Sequence, residues 1–158
     1  MRVRYFAVAA IAASVAFSGC DSSSDFETYV ATLEPGQENP PLSNSGTGRA
    51  VVLVSKSGDR VDVSVTMSGL VNVTQAHIHR AARGTNGPVI FWLFQPGNPA
   101  YPATPEQLGK SWLNPSTDTR DVALSESVLA DLRAGNLYVN YHTSVNPGGA
   151  IRGQLSRQ

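Results

Sequence analysis

The stretch Arg60-Val61-Asp62-Val63-Ser64-Val65-Thr66-Met67-Ser68 alternates polar with apolar side chains without a break. Successive side chains on a strand point to opposite faces, so this period of two buries Val61, Val63, Val65 and Met67 and leaves the intervening polar residues to solvent. Seven further runs rich in β-branched and aromatic residues share the habit, over 27–33, 49–55, 74–80, 88–94, 119–123, 137–142 and 150–155. Turn chemistry separates them, as in Ser57-Gly58-Asp59, Ser68-Gly69, Asn86-Gly87-Pro88 and Asn146-Pro147-Gly148-Gly149, the last suited to a positive-φ turn. About eight short strands at this spacing predict an all-β fold, an antiparallel sandwich. One short helix is expected, with Ser125 as its cap, Val128, Leu129 and Leu132 on one face, and Gly135 as its stop. Residues 95–118 hold Pro96, Pro99, Pro102, Pro105 and Pro115, with Tyr101 and Trp112 among them, and read as a long ordered loop rather than a ladder strand.

Length and composition agree with a single domain. The chain has 158 residues, 41% of them hydrophobic and only 15% charged, enough apolar content for a core. Its 12 basic and 12 acidic side chains cancel, and no Lys/Arg block occurs, so the electrostatic attraction that nucleic-acid binding depends on is absent. A single cysteine cannot close an intrachain disulfide.

The N-terminus reads as an address. Arg2 and Arg4 precede the uncharged run Tyr5–Phe17, which is too short to span a bilayer and the right length for a signal peptide. Phe17-Ser18-Gly19-Cys20 follows and resembles the lipobox of bacterial lipoproteins, with Phe17 where Leu is usual. That resemblance implies a signal peptide over 1–19, lipid on Cys20, and a polar tether through residue 25. Stable attachment takes more than one acyl chain, since a single chain binds only marginally. The chain is expected in the cell envelope on the extracytoplasmic side, and Asp21 resembles the signal that keeps such proteins at the inner membrane.

Two of the three histidines sit in Gln75-Ala76-His77-Ile78-His79-Arg80. At positions i and i+2 of a strand their rings share one face, with Cβ atoms roughly 7 Å apart, close enough to converge on one ion. The third, His142, ends Leu137-Tyr138-Val139-Asn140-Tyr141-His142 and shares its face with Tyr138 and Asn140. Neutral imidazole is a common ligand of copper and zinc, so His77, His79 and His142 form a candidate transition-metal site, copper favoured over zinc. The plainer reading has these rings donate to backbone carbonyls and brace loops. Glu34 and Glu38 read as solvated loop charges rather than an acid–base pair. Arg152, beside Gln154 on a polar face, is a candidate for orienting an anion, with an internal ion pair or backbone contact as the plainer role. No G-x-S-x-G, CxxC, HExxH or phosphate loop occurs, so nothing points to a hydrolase.

Five ordered blocks together resemble the CHRD domain, first named from chordin: residues 31–41, Gly46-Thr47-Gly48, Ala76-His77-Ile78-His79 with Asn86-Gly87-Pro88-Val89, residues 134–143, and residues 146–155. The resemblance covers 26–156 and implies an extracytoplasmic β-sandwich, immunoglobulin-like or superoxide-dismutase-like, with a Greek key. Two departures stand out, Ala81 where the family commonly has Gly and Ala150 where it commonly has Glu before Ile-Arg-Gly-Gln. A looser likeness to copper-zinc superoxide dismutase does not extend to its chemistry, because three histidines cannot fill both of that enzyme's metal sites.

Two functional expectations follow. The first is a membrane-anchored domain that binds copper or zinc for storage, redox or ligand recognition rather than turnover. The second is a metal-free adhesion or interaction module that contacts an unknown protein or small molecule through Tyr101 and Trp112 in loop 95–118.

Overall fold

The computed structural model describes residues 25–99 and 104–158. The stretch read as a signal peptide, Cys20, Asp21 and Tyr101 lie outside the described residues. Among the described residues, nine strands form two antiparallel sheets: β1 (Phe26–Leu33), β2 (Thr47–Ser55), β3 (Arg60–Ser68), β4 (Val73–Arg80), β5 (Val89–Phe94), β6 (Gln107–Leu113), β7 (Leu137–Thr143), β8 (Ile151–Gln154) and β9 (Ser156–Arg157). The first sheet runs β6-β3-β2-β1-β9 and the second β5-β4-β7-β8. The chain crosses from one sheet to the other at Leu155, whose N–H donates to the Leu137 carbonyl just before Ser156 pairs with Val30.

The period of two does what the sequence requires. Val61, Val63, Val65 and Met67 are buried, with Asp62, Ser64, Thr66 and Ser68 on the other side of β3. They join Tyr29, Ala31, Leu33, Val52 and Val54 of the first sheet against Ala76, Ile78, Val139, Tyr141 and Ile151 of the second. Helix α1 (Glu126–Arg133) adds Val128 and Leu132 to this core and ends at Gly135, where φ is +75°. Ser125 stands at its N-cap, but its hydroxyl pairs with the Ser127 hydroxyl instead of a backbone N–H.

Two expectations about 95–118 and 119–123 are corrected. The proline-rich stretch contains a strand, β6, whose register pairs Trp112 with Val61 and Leu108 with Val65. Residues 106–114 are free of proline, and at the edge of the sheet only one side of the strand must supply ladder bonds. Trp112 therefore belongs to a ladder rather than a loop. The run 119–123 lies beside β5 without forming a strand. Val122 donates to the Ile90 carbonyl, but the neighbouring Trp92 N–H is taken by the Asp121 side chain, which ends the ladder after one bond.

Leu33 is fully buried in this core whereas Leu113, on β6, is 72% exposed. Leu33→Ala is expected to lower unfolding free energy by about 2–5 kcal/mol and Leu113→Ala by less than about 0.5 kcal/mol, measured by urea denaturation.

Candidate metal centre

Strands β4 and β7 are neighbours, with His79 opposite Tyr138, His77 opposite Asn140 and Gln75 opposite His142. Alternation along each strand turns Ile78, Val139 and Tyr141 toward the core and puts His77, His79, Tyr138, Asn140 and His142 on the opposite face. That face is not open to water. All seven residues of β7 and all four of β8 are buried, because segments from 34–45, 81–88 and 144–149 fold over it. The second sheet is thus covered twice, by a hydrophobic core on one side and a polar layer on the other.

The three imidazoles meet in this layer. Each offers one ligand nitrogen, and these atoms lie within 4.8 Å of one another. His77 Nδ1 stands 3.2 Å from His142 Nε2. Imidazole nitrogens bound tetrahedrally at 2.0–2.1 Å from a zinc-sized ion sit roughly 3.3 Å apart, so the rings must draw in from their present spacing, and the hydrogen bond between His77 and His142 must give way, to hold one.

Backbone carbonyls set the tautomers. His79 Nδ1 donates to the Gly87 carbonyl at 3.0 Å, and His142 Nδ1 to the Pro147 carbonyl at 3.0 Å. Each ring therefore presents an unprotonated Nε2. The His142 Nε2 accepts the N–H of His77 Nδ1, which leaves the Nε2 atoms of His77 and His79 buried without any partner. Buried polar atoms are nearly always satisfied, so two bare lone pairs in this layer fit a metal's demand for neutral donors. Burial is also the main cause of their proton affinities. Desolvation pushes His77 down to about 3 and His79 to about 4, and lowers His142 against the opposing pull of the Pro147 carbonyl.

The surrounding layer is aromatic and polar. Trp92 meets His77 edge-on with ring centroids 4.2 Å apart, and Tyr138 stacks on His79 at 4.8 Å. Arg152 is 1% exposed, its guanidinium 3.4 Å from the Tyr138 ring centroid and bonded to the carbonyls of Ala82 and Thr85. Glu34 is exposed as expected, but Glu38 corrects the reading of a solvated charge. Its side chain is buried and accepts from Asn140 Nδ2 at 2.8 Å, and desolvation pushes its carboxyl up to about 7. Gly149 makes the room, with φ at +142° and a hypothetical Cβ only 2.6 Å from Glu38 Oε2. The amide oxygen of Asn140 is the third buried atom without a partner. Glu38 gave no signal of its own in the sequence, because nothing local says that a loop carboxyl 102 positions from Asn140 will close over it.

The sequence candidates thus divide. His77, His79, His142 and Arg152 come together in one layer. Trp112 lies on β6 of the other sheet, and Tyr101 is outside the described residues. The family model described as CHRD domain matches residues 29–155, most of the chain, and the chain belongs to that family. No curated protein and no solved structure matches it.

The sign of the pH dependence follows from the direction of each shift. An unfolded chain protonates its histidines below about 6.5, while the folded chain keeps His77 and His79 neutral down to about 4 or below. Stability present above 6.5 is therefore lost as pH falls, and the urea midpoint is expected to drop between pH 7 and pH 5, less so in His77→Gln. Glu38 acts in the opposite direction. Its contribution stands below the ordinary 4.5 and is lost as pH rises toward about 7. Glu38→Gln is expected to stabilise the protein by on the order of 1–3 kcal/mol at pH 8 and to change little at pH 4.5 in the same assay.

Proposed function

We propose that this member of the CHRD domain family binds one transition-metal ion through His77, His79 and His142, copper in preference to zinc, and is held at the cell envelope by lipid on Cys20. The metal reading is carried by the two buried, unpartnered Nε2 atoms beside an acceptor-facing His142. Three neutral donors with fixed tautomers need no proton removed before they ligate, and copper stands above zinc in the general affinity order for such nitrogen sites. A set of rings that only braced loops would have no use for bare lone pairs. The metal-free alternative, contact through 95–118, leaves those two nitrogens without an explanation. The anchor is supported by Cys20 between an apolar run and the polar Asp21–Asp25, and Asp21 favours retention at the inner membrane. The role that fits is holding or passing on an ion, or one-electron chemistry at it.

Elemental analysis and metal titration of the full chain, purified without a histidine tag, are expected to find one copper or zinc per molecule. His77→Ala should weaken binding roughly a hundredfold or more, as losing one of three donors implies. Retention of no stoichiometric metal, or indifference to His77→Ala, would remove the reading. Binding heats at pH 7.5 should be the same in buffers of different ionisation enthalpy, since neutral imidazoles release no proton. Cys20→Ser should move the protein from the membrane fraction to the soluble one, and an unchanged distribution would refute the anchor.

A further inference from the structure

We propose that the three-imidazole centre is selective for a monovalent ion, Cu(I), over divalent Cu(II) and Zn(II), and that Arg152 sets this preference. The proposal rests on the metal-binding reading of His77, His79 and His142 and names the ion that reading leaves open.

The donor set supplies no charge. The cluster consists of three imidazoles, and no described carboxylate or thiolate joins them. An ion held there keeps its full charge in a buried layer. The cost of moving an ion out of water grows with the square of its charge, so a divalent ion pays about four times the penalty of a monovalent one of similar size. Sites for divalent ions commonly offset this with anionic ligands, and this one does not.

Arg152 adds to the asymmetry. Because β7 lies between β4 and β8, the His79 imidazole and the Arg152 guanidinium reach the Tyr138 ring from opposite sides. The cation is one ring removed from a ligand. Its hydrogen bonds go to neutral acceptors only: the Thr85 carbonyl at 2.9 Å, Ala82 carbonyl at 3.3 Å, Gln154 Oε1 at 3.2 Å and Asn86 Oδ1 at 3.4 Å. No described carboxylate lies within ion-pair distance of it. The acid that faces it, Glu38, is bonded to Asn140 instead, and burial holds that carboxyl partly protonated near neutrality. A second arginine, Arg120, lies over Trp92 on the His77 side, paired with Asp118 and more exposed than Arg152, and it too disfavours positive charge at His77. Arg152 is therefore a buried cation of the layer that, among the described residues, has no carboxylate hydrogen-bonded to it. At a separation on the order of 8–10 Å and an effective dielectric of about 20, one unit charge disfavours each added charge on the ion by a factor of roughly 15 to 35.

The test uses the full, untagged chain. Anaerobic Cu(I) titration against a chromogenic chelator, Zn(II) competition, and spectroelectrochemistry of the copper-loaded protein give the affinities and the Cu(II)/Cu(I) potential. Wild type is expected to hold Cu(I) roughly a hundredfold or more tighter than Zn(II). Arg152→Gln should narrow that ratio by about tenfold or more and lower the potential by about 59 mV per tenfold, whereas Arg152→Lys keeps most of both. Arg152→Gln removes several buried hydrogen bonds and could fail to fold. Asn86→Asp covers that case, placing a carboxylate against the intact guanidinium at an exposed position, and should shift both readouts in the same direction as Arg152→Gln. Equal affinity for Cu(I) and Zn(II) in wild type, or a ratio and potential unmoved by Asn86→Asp, would overturn the proposal while leaving a metal site standing. Failure to bind any of the three ions would instead overturn the metal reading itself.

Discussion

The candidate site depends on the burial of one sheet on both faces. A four-stranded antiparallel sheet in a sandwich needs only one covered face, and its other side ordinarily meets water. Here the outer face of β5-β4-β7-β8 carries histidine, asparagine, tyrosine and arginine, and loops close over it. That closure removes the water which would otherwise satisfy these groups. Each polar atom must then find a protein partner or stay bare, and the imidazoles stay neutral because charging them in this layer is unfavourable.

The loops are held by the same residues they cover. Gly87 receives the His79 N–H on its carbonyl and gives its own N–H to the Tyr138 hydroxyl, and a Cβ at this position would meet the Arg80 carbonyl at 2.0 Å. Arg152 pins segment 82–86 through three of its four hydrogen bonds, and Gln154 adds the Ala81 carbonyl. Loop order and ligand order are therefore one property. Tautomer selection by a backbone carbonyl is the usual outer-shell device of histidine metal sites, and it is complete here for His79 and His142 from protein atoms alone.

Much of this was legible in the chain. Period-two alternation marked β3, and β-branched runs marked six of the other strands, because strand formation on a half-buried surface is written locally. The i, i+2 spacing placed His77 and His79 on one face for the same reason. β6 was hidden by its flanking prolines, whose local signal says loop while edge position makes a short strand tolerable. The 119–123 run had strand composition, but the Asp121 side chain competes for the backbone donor that a ladder needs.

Local pattern in the chain carried the sandwich, the pairing of two imidazoles on one strand face and the third on another, and five ordered blocks spread along it carried membership of the CHRD domain family. Long-range packing alone brings β7 beside β4, draws Glu38 under the loops and stacks Arg152 on Tyr138. Those facts join residues far apart in the chain, and the burial that gives them chemical meaning exists only once the loops have closed over the sheet.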